Sequence, residues 1–270
     1  MGNIGAEESV HLNLAVAPAG AAEAETVEDA SLAPDWNPVE KVIFERRSVR
    51  WYKSEQVPEY LVRRILEAGR FAPSAGNSQP WKFVVIRDKA WIDEMERDLQ
   101  RSCKVFRFFL DWRRPGIMSK IAWFYSQIFI RLMPQELHPI PMGAIFLIAQ
   151  GKLKLYHGAP MVIMILKDKR GVGNPDLDCG ICGQNMVLTA YSLGLSTCWV
   201  NFVTALTKPV NMFFNPLAYF KWKRRFNLTY PYELVTSIAV GYAKGNPNKM
   251  VERELHEIAW VENGQRTITY

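Results

Sequence analysis

Two short stretches of this sequence concentrate side chains able to do chemistry. The first, ERRSVRWY at residues 45–52, sets Arg46, Arg47 and Arg50 around Ser48 at the end of a helical pattern. A guanidinium fork binds phosphate through two parallel hydrogen bonds, and a serine hydroxyl adds another short one. These residues therefore suit a phosphate site, although a solvated basic face is written in the same letters. The second, FAPSAGNSQPWKF at residues 71–83, gathers Pro73, Ser74, Ala75, Gly76, Asn77, Ser78, Gln79 and Pro80 ahead of Trp81. Such a run buries little apolar surface, so it either turns the chain or lets backbone approach a ligand closely. The amides of Asn77 and Gln79 both donate and accept, as the edge of a heterocycle requires.

Other reactive residues carry weaker signals. Cys179 and Cys182 are three apart, with Cys198 further on and Cys103 distant. A structural zinc or a cubane cluster wants four ligands, whereas cysteines three apart in a helix lie side by side among small residues and behave as small buried hydrophobes. Packing is the expectation, and no metal is assigned. His11, His138, His157 and His256 have no metal or triad spacing and receive no role. The GVGNPD stretch from Gly171 lacks the full dinucleotide fingerprint and reads as a turn.

The elements that must position these groups follow from local signals. Asn37 and Pro38 open a helix that should end near Arg46, and a second starts at Pro58 and is stopped by Pro73. WKFVVIRD is a strand, and a helix follows around residues 88–101. APMVIMILKD is a second strand, CGICGQNMVLTAYSLG an apolar helix ended by Gly194, and LSTCWVNF a third strand. Residues 208–227 read as irregular, ELVTSIAVGY as the last core strand, and the run from residue 248 as a short terminal segment. Between about 103 and 155 lies a stretch too aromatic for an exposed surface and too long for a plain loop, read as an insertion of short helices. Residues 1–35, rich in Ala and Glu, read as a flexible arm before a single domain over 36–270.

At 270 residues and 49% hydrophobic, the chain can bury one large core. Thirty-three Lys and Arg against 27 Asp and Glu give a net +6, and no long basic run with interleaved aromatics argues for nucleic acid. Four cysteines do not make a secreted disulfide framework, the N-terminus lacks a signal-peptide pattern, and apolar runs fall short of a spanning helix, so a cytoplasmic protein is expected.

RRSVR, followed by APSAGNSQPWKF, GQNMVLTAYSLGLSTCWV and IAVGY, resembles the FMN-dependent nitroreductase superfamily, which includes flavin reductases, the flavin-fragmenting BluB enzymes and iodotyrosine deiodinase. The resemblance covers roughly residues 38–88 and 158–260. It implies an α+β fold with a central, mostly antiparallel sheet flanked by helices, and a homodimer with FMN at the subunit interface. By position, Arg46, Arg47, Ser48 and Arg50 would hold the phosphate, ribityl chain and pyrimidine edge, and Pro73, Ser74, Ala75 and Asn77 would flank the flavin. Trp199, Val200 and Asn201 would pass the isoalloxazine, with a backbone N–H near Asn201 aimed at flavin N5. Arg253 or Lys249 would close the phosphate site, with Glu252 standing where another Arg might be expected. No side-chain acid or base is assigned. The implied activity is transfer of two electrons from a donor such as NAD(P)H to a small aromatic or hydrophobic acceptor, a nitroaromatic or quinone. A dehalogenase-like or flavin-modifying enzyme, a non-catalytic flavin binder and a membrane-surface protein are the alternatives. The insertion, with Trp112, Trp123 and Phe124, has three readings: a substrate lid, a peripheral membrane contact, or extra core and interface.

Overall fold

The computed structural model describes residues 36–110, 116–132, 139–245, 258–262 and 265–269. The chain divides into two units, Met1–Asn37 and Pro38–Tyr270. Of the first only Trp36 and Asn37 are described, so the expected arm over 1–35 lies outside the described residues.

Helix α1 (Pro38–Glu45) starts at Pro38 because proline fixes φ where the helix needs no N–H donor. Helix α2 (Glu59–Arg70) begins just after Pro58 and puts Leu61, Val62 and Ile65 inward. Strand β1 (Trp81–Ile86) follows, then α3 (Lys89–Leu110), α4 (Ile117–Leu132), α5 (Pro139–Ala149) and β2 (Met161–Asp168). The chain continues through α6 (Pro175–Ser192), β3 (Ser196–Trp199), α7 (Asn211–Phe214), α8 (Pro216–Arg225) and β4 (Tyr232–Gly241). Strands β5 (Ile258–Glu262) and β6 (Gln265–Thr269) pair with each other as an antiparallel hairpin.

The four-stranded sheet runs in the order β1-β2-β4-β3, every neighbour antiparallel. Strand β2 is apolar on both sides because both faces of the sheet are covered. Met161, Ile163 and Ile165 pack beneath α2 and α6, while Val162, Met164 and Leu166 pack against residues from α3, α5 and α8. This is the expected α+β architecture. The parallel element is a single bridge from Ser48 to Thr197, outside the regular strands.

Three expectations need correction. The insertion does not begin at Cys103, because α3 runs unbroken to Leu110. Cys103, Phe106, Ile145 and Ile148 are buried in the main core, so both ends of the stretch read as an insertion belong to the fold's packing, and α4 is a 16-residue helix packed on α3. Residues 208–227 are not irregular: Asn215 caps α8 by accepting from Ala218 N, and Pro216 occupies the first position. The aromatic content hid the cap, since Phe, Tyr and Trp say little about helix phase until the buried face, Ala218, Tyr219 and Trp222, is known. Finally, the terminal segment contains a strand hairpin.

Helices α3 and α8 are locked together by a charged cluster. Lys221 bridges Glu94 and the buried Asp98, Arg225 pairs with Glu94, and the Trp222 indole donates to Asp98 Oδ2 at 2.9 Å. Hydrogen bonds from Lys221 and Arg225 hold the Glu94 carboxyl at about 2, against an ordinary 4.5. A carboxylate whose folded value is depressed stabilises the fold above its unfolded value and loses that contribution as pH falls through the folded one. Thermal melts of the wild type should therefore lose stability between about pH 4.5 and 2, and Glu94→Gln should start lower at neutral pH and show a flatter decline over that window.

Candidate functional site

The RRSVR segment leaves α1 and runs along the outer edge of β3. Val49 N donates to Thr197 O at 2.9 Å, next to the Ser48–Thr197 bridge. Further on, Lys53 N donates to Tyr242 O and Lys244 N to Trp51 O, which ties the segment to the end of β4. Burial pushes the Cys198 thiol up, while the charges of Arg50 and Arg46 pull it the other way. The His157 imidazole is held below its ordinary value by burial and then by the charge of Arg50. Arg47 differs, with its Nη1 donating to Phe44 O at 2.5 Å and Arg46 O at 2.7 Å. It closes the end of α1 with carbonyls that the helix leaves over.

The exit of β3 is held from two sides. Val200 N donates to Ser237 O at 2.8 Å, and Ser237 Oγ donates to Val200 O at 2.8 Å. Tyr156 Oη lies 3.3 Å from the same hydroxyl, and Tyr156 and Ser237 are both fully buried. The main chain entering Asn201 is thus fixed to the sheet, which is what a backbone donor aimed at a ligand atom requires. Beside Asn201 opens a cleft of about 310 Å3, lined by Lys167, Lys169, Lys208, Lys223 and Tyr219 among others. Trp199 lies over α6, where Gly183 leaves room: a Cβ there would stand 2.2 Å from Trp199 Cη2.

The Pro73–Pro80 loop is stapled from within. Ser74 Oγ accepts from Gln79 N at 3.0 Å, and Gln79 Nε2 donates to Asn77 Oδ1 at 3.1 Å. Gly76, Asn77 and Gln79 all have positive φ, of 57°, 50° and 44°. Glycine and asparagine tolerate this region, whereas Gln79 is held there by its hydrogen bonds. Across from the loop is the turn after β2. Gly173 has φ 71°, and a Cβ on it would meet Ala75 Cβ at 2.9 Å. The turn reading of GVGNPD holds for Gly171–Gly173, whereas Asn174 caps α6 by accepting from Leu177 N, and Pro175 and Asp176 lie in its first turn, ahead of the expected start at Cys179. An open cleft of about 460 Å3 adjoins the loop, lined by Ser78, Gln79, Lys82, Asp168 and Arg170 among others.

The two motifs sit at opposite corners of the sheet. Ser48 is level with Thr197 and Val240 beyond β3, whereas Trp81 is level with Lys167 and Glu233 on β1. Four strand spacings across and about seven residues along β4 put the corners roughly 30 Å apart. That exceeds the span of one extended flavin mononucleotide. Arg46–Arg50 and Trp199–Asn201 are brought together within one chain, and Ser74–Asn77 are not. The donor set at the β3 corner, guanidiniums beside a fixed backbone, fits the phosphate and ring of such a molecule; the loop fits as a flank supplied from elsewhere.

Lys249, Arg253 and Trp112 lie outside the described residues. Trp123 and Phe124 are each 58% exposed on α4. All four cysteines are buried and free, and burial pushes Cys179 and Cys182 up to about 12. Cys182 lines the seam where Gly69 of α2 meets α6, so the thiols pack as expected. Among the described residues, no helix is long and apolar enough to cross a membrane. Sequence reasoning missed Ser237, Tyr156 and His157. Ser237 had been read only as part of a core strand, and nothing local marks its bond to Val200, 37 residues away.

Residues 43–242, about three quarters of the chain, match the Nitroreductase family. The chain belongs to that family. It is 60% identical over 45 residues to an NADH dehydrogenase from Thermus thermophilus, which is 17% of this chain and 22% of that protein. It is 27% identical over 166 residues to nitroreductase NfnB from Mycolicibacterium smegmatis, covering 59% of this chain and 68% of the relative. A crystal structure of a nitroreductase with bound FMN from Desulfitobacterium hafniense shares the fold, with a TM-score of 0.58 at 23% identity over 81% of this chain and 95% of that one. The chain spans 32%, 56% and 22% of the length of the first three curated relatives it matches.

Gly183→Ala should drive its new methyl into Trp199 and Ile165, costing about 1–3 kcal/mol as an overpacking change. Tryptophan emission should shift along with the lowered melting temperature; an unchanged spectrum and melt would show that Trp199 does not rest on α6.

Proposed function

We propose that this chain is an FMN-dependent oxidoreductase that passes two electrons from a reduced donor, NAD(P)H, to a small aromatic or hydrophobic acceptor such as a nitroaromatic or quinone. The observation that carries this reading is the tie of Val49 to Thr197, which lays the backbone of the Arg46–Arg50 segment along the strand that leads into the fixed main chain of Val200 and Asn201. The FMN named for the Desulfitobacterium nitroreductase and the NADH dehydrogenase name of the Thermus relative support it.

FMN, when bound, supplies the two-electron chemistry through its N5 position. The chain's own residues bind and orient it. Arg46, Ser48 and Arg50 hold the phosphate end by charge-assisted hydrogen bonds. The Asn201 N–H, kept in place by Ser237, donates toward N5. Trp199 and Val200 line the path of the ring. The roughly 30 Å between the two corners supports a homodimer in which Ser74, Ala75 and Asn77 of one protomer flank the flavin held at the β3 corner of the other. Lys249 or Arg253 completes the phosphate site, and Trp112 belongs to a lid over the acceptor. The domain begins at about residue 36.

Purified protein supplied with FMN should show oxidised-flavin bands that bleach anaerobically with NADH or NADPH and recover with a quinone. Protein that stays colourless sinks the flavin reading, and bands that never bleach limit the chain to a flavin binder.

The hydrogen bonds of Arg47 separate its role from that of Arg50. Arg50→Ala should weaken FMN retention by a charge-assisted bond or two, about 1.5–3 kcal/mol each, while Arg47→Ala should mainly lower thermal stability by uncapping α1. Mixing inactive Arg50→Ala and Asn77→Ala proteins under subunit exchange should restore part of the activity, because one of the two sites in the mixed dimer is then intact. No recovery, with exchange shown by mass, would mean that the motifs do not share a site across protomers.

A further inference from the structure

The charge of this protein is concentrated in one segment. Residues 99–135 contain seven Lys and Arg against the single Asp111, a net +6. This equals the net charge of the whole chain, so the remaining 26 basic residues are balanced by 26 acidic ones. The described part of this segment comprises the end of α3 and all of α4.

Helix α4 turns apolar residues outward within that positive field. Ile117, Ile121 and Phe124, at i, i+4 and i+7, are 74%, 39% and 58% exposed, and Trp123 beside them is 58% exposed. Lys120 and Arg131 are exposed on the same side of the helix, and the buried residue is Ala122, on the opposite side. Helix α4 itself contains no acidic residue. On α3, Arg101 and Lys104 are exposed as well, and Phe108 is 42% exposed. Aromatic and aliphatic side chains interleaved with basic ones, on a helix too short to span a bilayer, are the composition of an interfacial helix.

We propose that α4 and the end of α3 form a docking surface for an anionic lipid membrane, with Ile117, Ile121, Trp123 and Phe124 entering the headgroup boundary while Lys120 and Arg131 meet lipid phosphates. A second copy of the chain suits this surface poorly, since a two-fold contact would set Lys120 and Arg131 of one copy against those of the other. Nucleic acid matches the charge but not the exposed aliphatic residues, Ile117 above all. The surface does not depend on the flavin reading.

Flotation with vesicles of phosphatidylglycerol and phosphatidylcholine tests this on the full chain. The protein should float with mixed vesicles at low salt, not with phosphatidylcholine alone, and should be released at high ionic strength. Lys120→Gln with Arg131→Gln should weaken binding roughly 30-fold, at ~1 kcal/mol for each basic residue near the surface. Ile117→Ser with Ile121→Ser should also weaken it. All four positions are exposed, and circular dichroism of each variant checks the fold. Wild-type protein that stays with the pellet, or floats equally on neutral vesicles, overturns the proposal. So does loss of binding in the Gln variant with none in the Ser variant, which would mark a surface for polyanions at large rather than for lipid.

Discussion

Strand β4 is the element on which both halves of the site hang. It pairs with β2 from Tyr232 to Val240, with one bulge at Val235, but with β3 only from Ile238 to Gly241. Its neighbour β2 is buried on both faces, so that pair cannot slip by one residue without turning an apolar row of one layer into the other. Once the register is set, Ser237 falls where β3 ends, and its backbone and hydroxyl both bind Val200. The corner that carries Arg46, Arg50 and Asn201 is therefore as rigid as the sheet core, although most of its functional atoms are exposed.

The same ladder keeps the second motif away. Strand β1 pairs on the far side of β2, and its first residue is level with the opposite end of β4. The Pro73–Pro80 loop has its own internal staples and a turn to lean on, which makes it a preformed surface rather than a loose connection. A chain that builds two rigid half-sites too far apart for one ligand has a geometric reason to work as a pair. Preorganisation on each protomer keeps the ordering cost of assembling such a site small.

Charge and packing divide the remaining work. Small residues in α2 and α6 let Gly69, Cys182 and Gly183 bring helices and Trp199 into close contact, which explains a cysteine pair that might otherwise suggest redox chemistry. Longer aromatic residues build the opposite layer, where Trp222 and Phe106 fill the space between α3, α8 and their neighbours, with the Glu94 and Asp98 carboxylates matched by Lys221 and Arg225. Residues from α3 and α5, among them Cys103, Phe106, Ile145 and Ile148, complete that layer, and α4 between them carries exposed apolar side chains.

What the sequence by itself determined was local. Pro38, Pro58 and the Gly194 stop mark helices through residues a few positions apart, and the two motifs are legible because their side chains and spacing are unusual wherever they fold. Only the tertiary structure decided that Arg47 would cap α1 and that the motifs would lie on opposite corners. Those outcomes depend on strands and helices paired across 37 to more than 140 residues of chain, as between Ser237 and Val200 or Glu45 and Tyr191. No local preference encodes such a register; it emerges when the two apolar faces of the sheet are buried together.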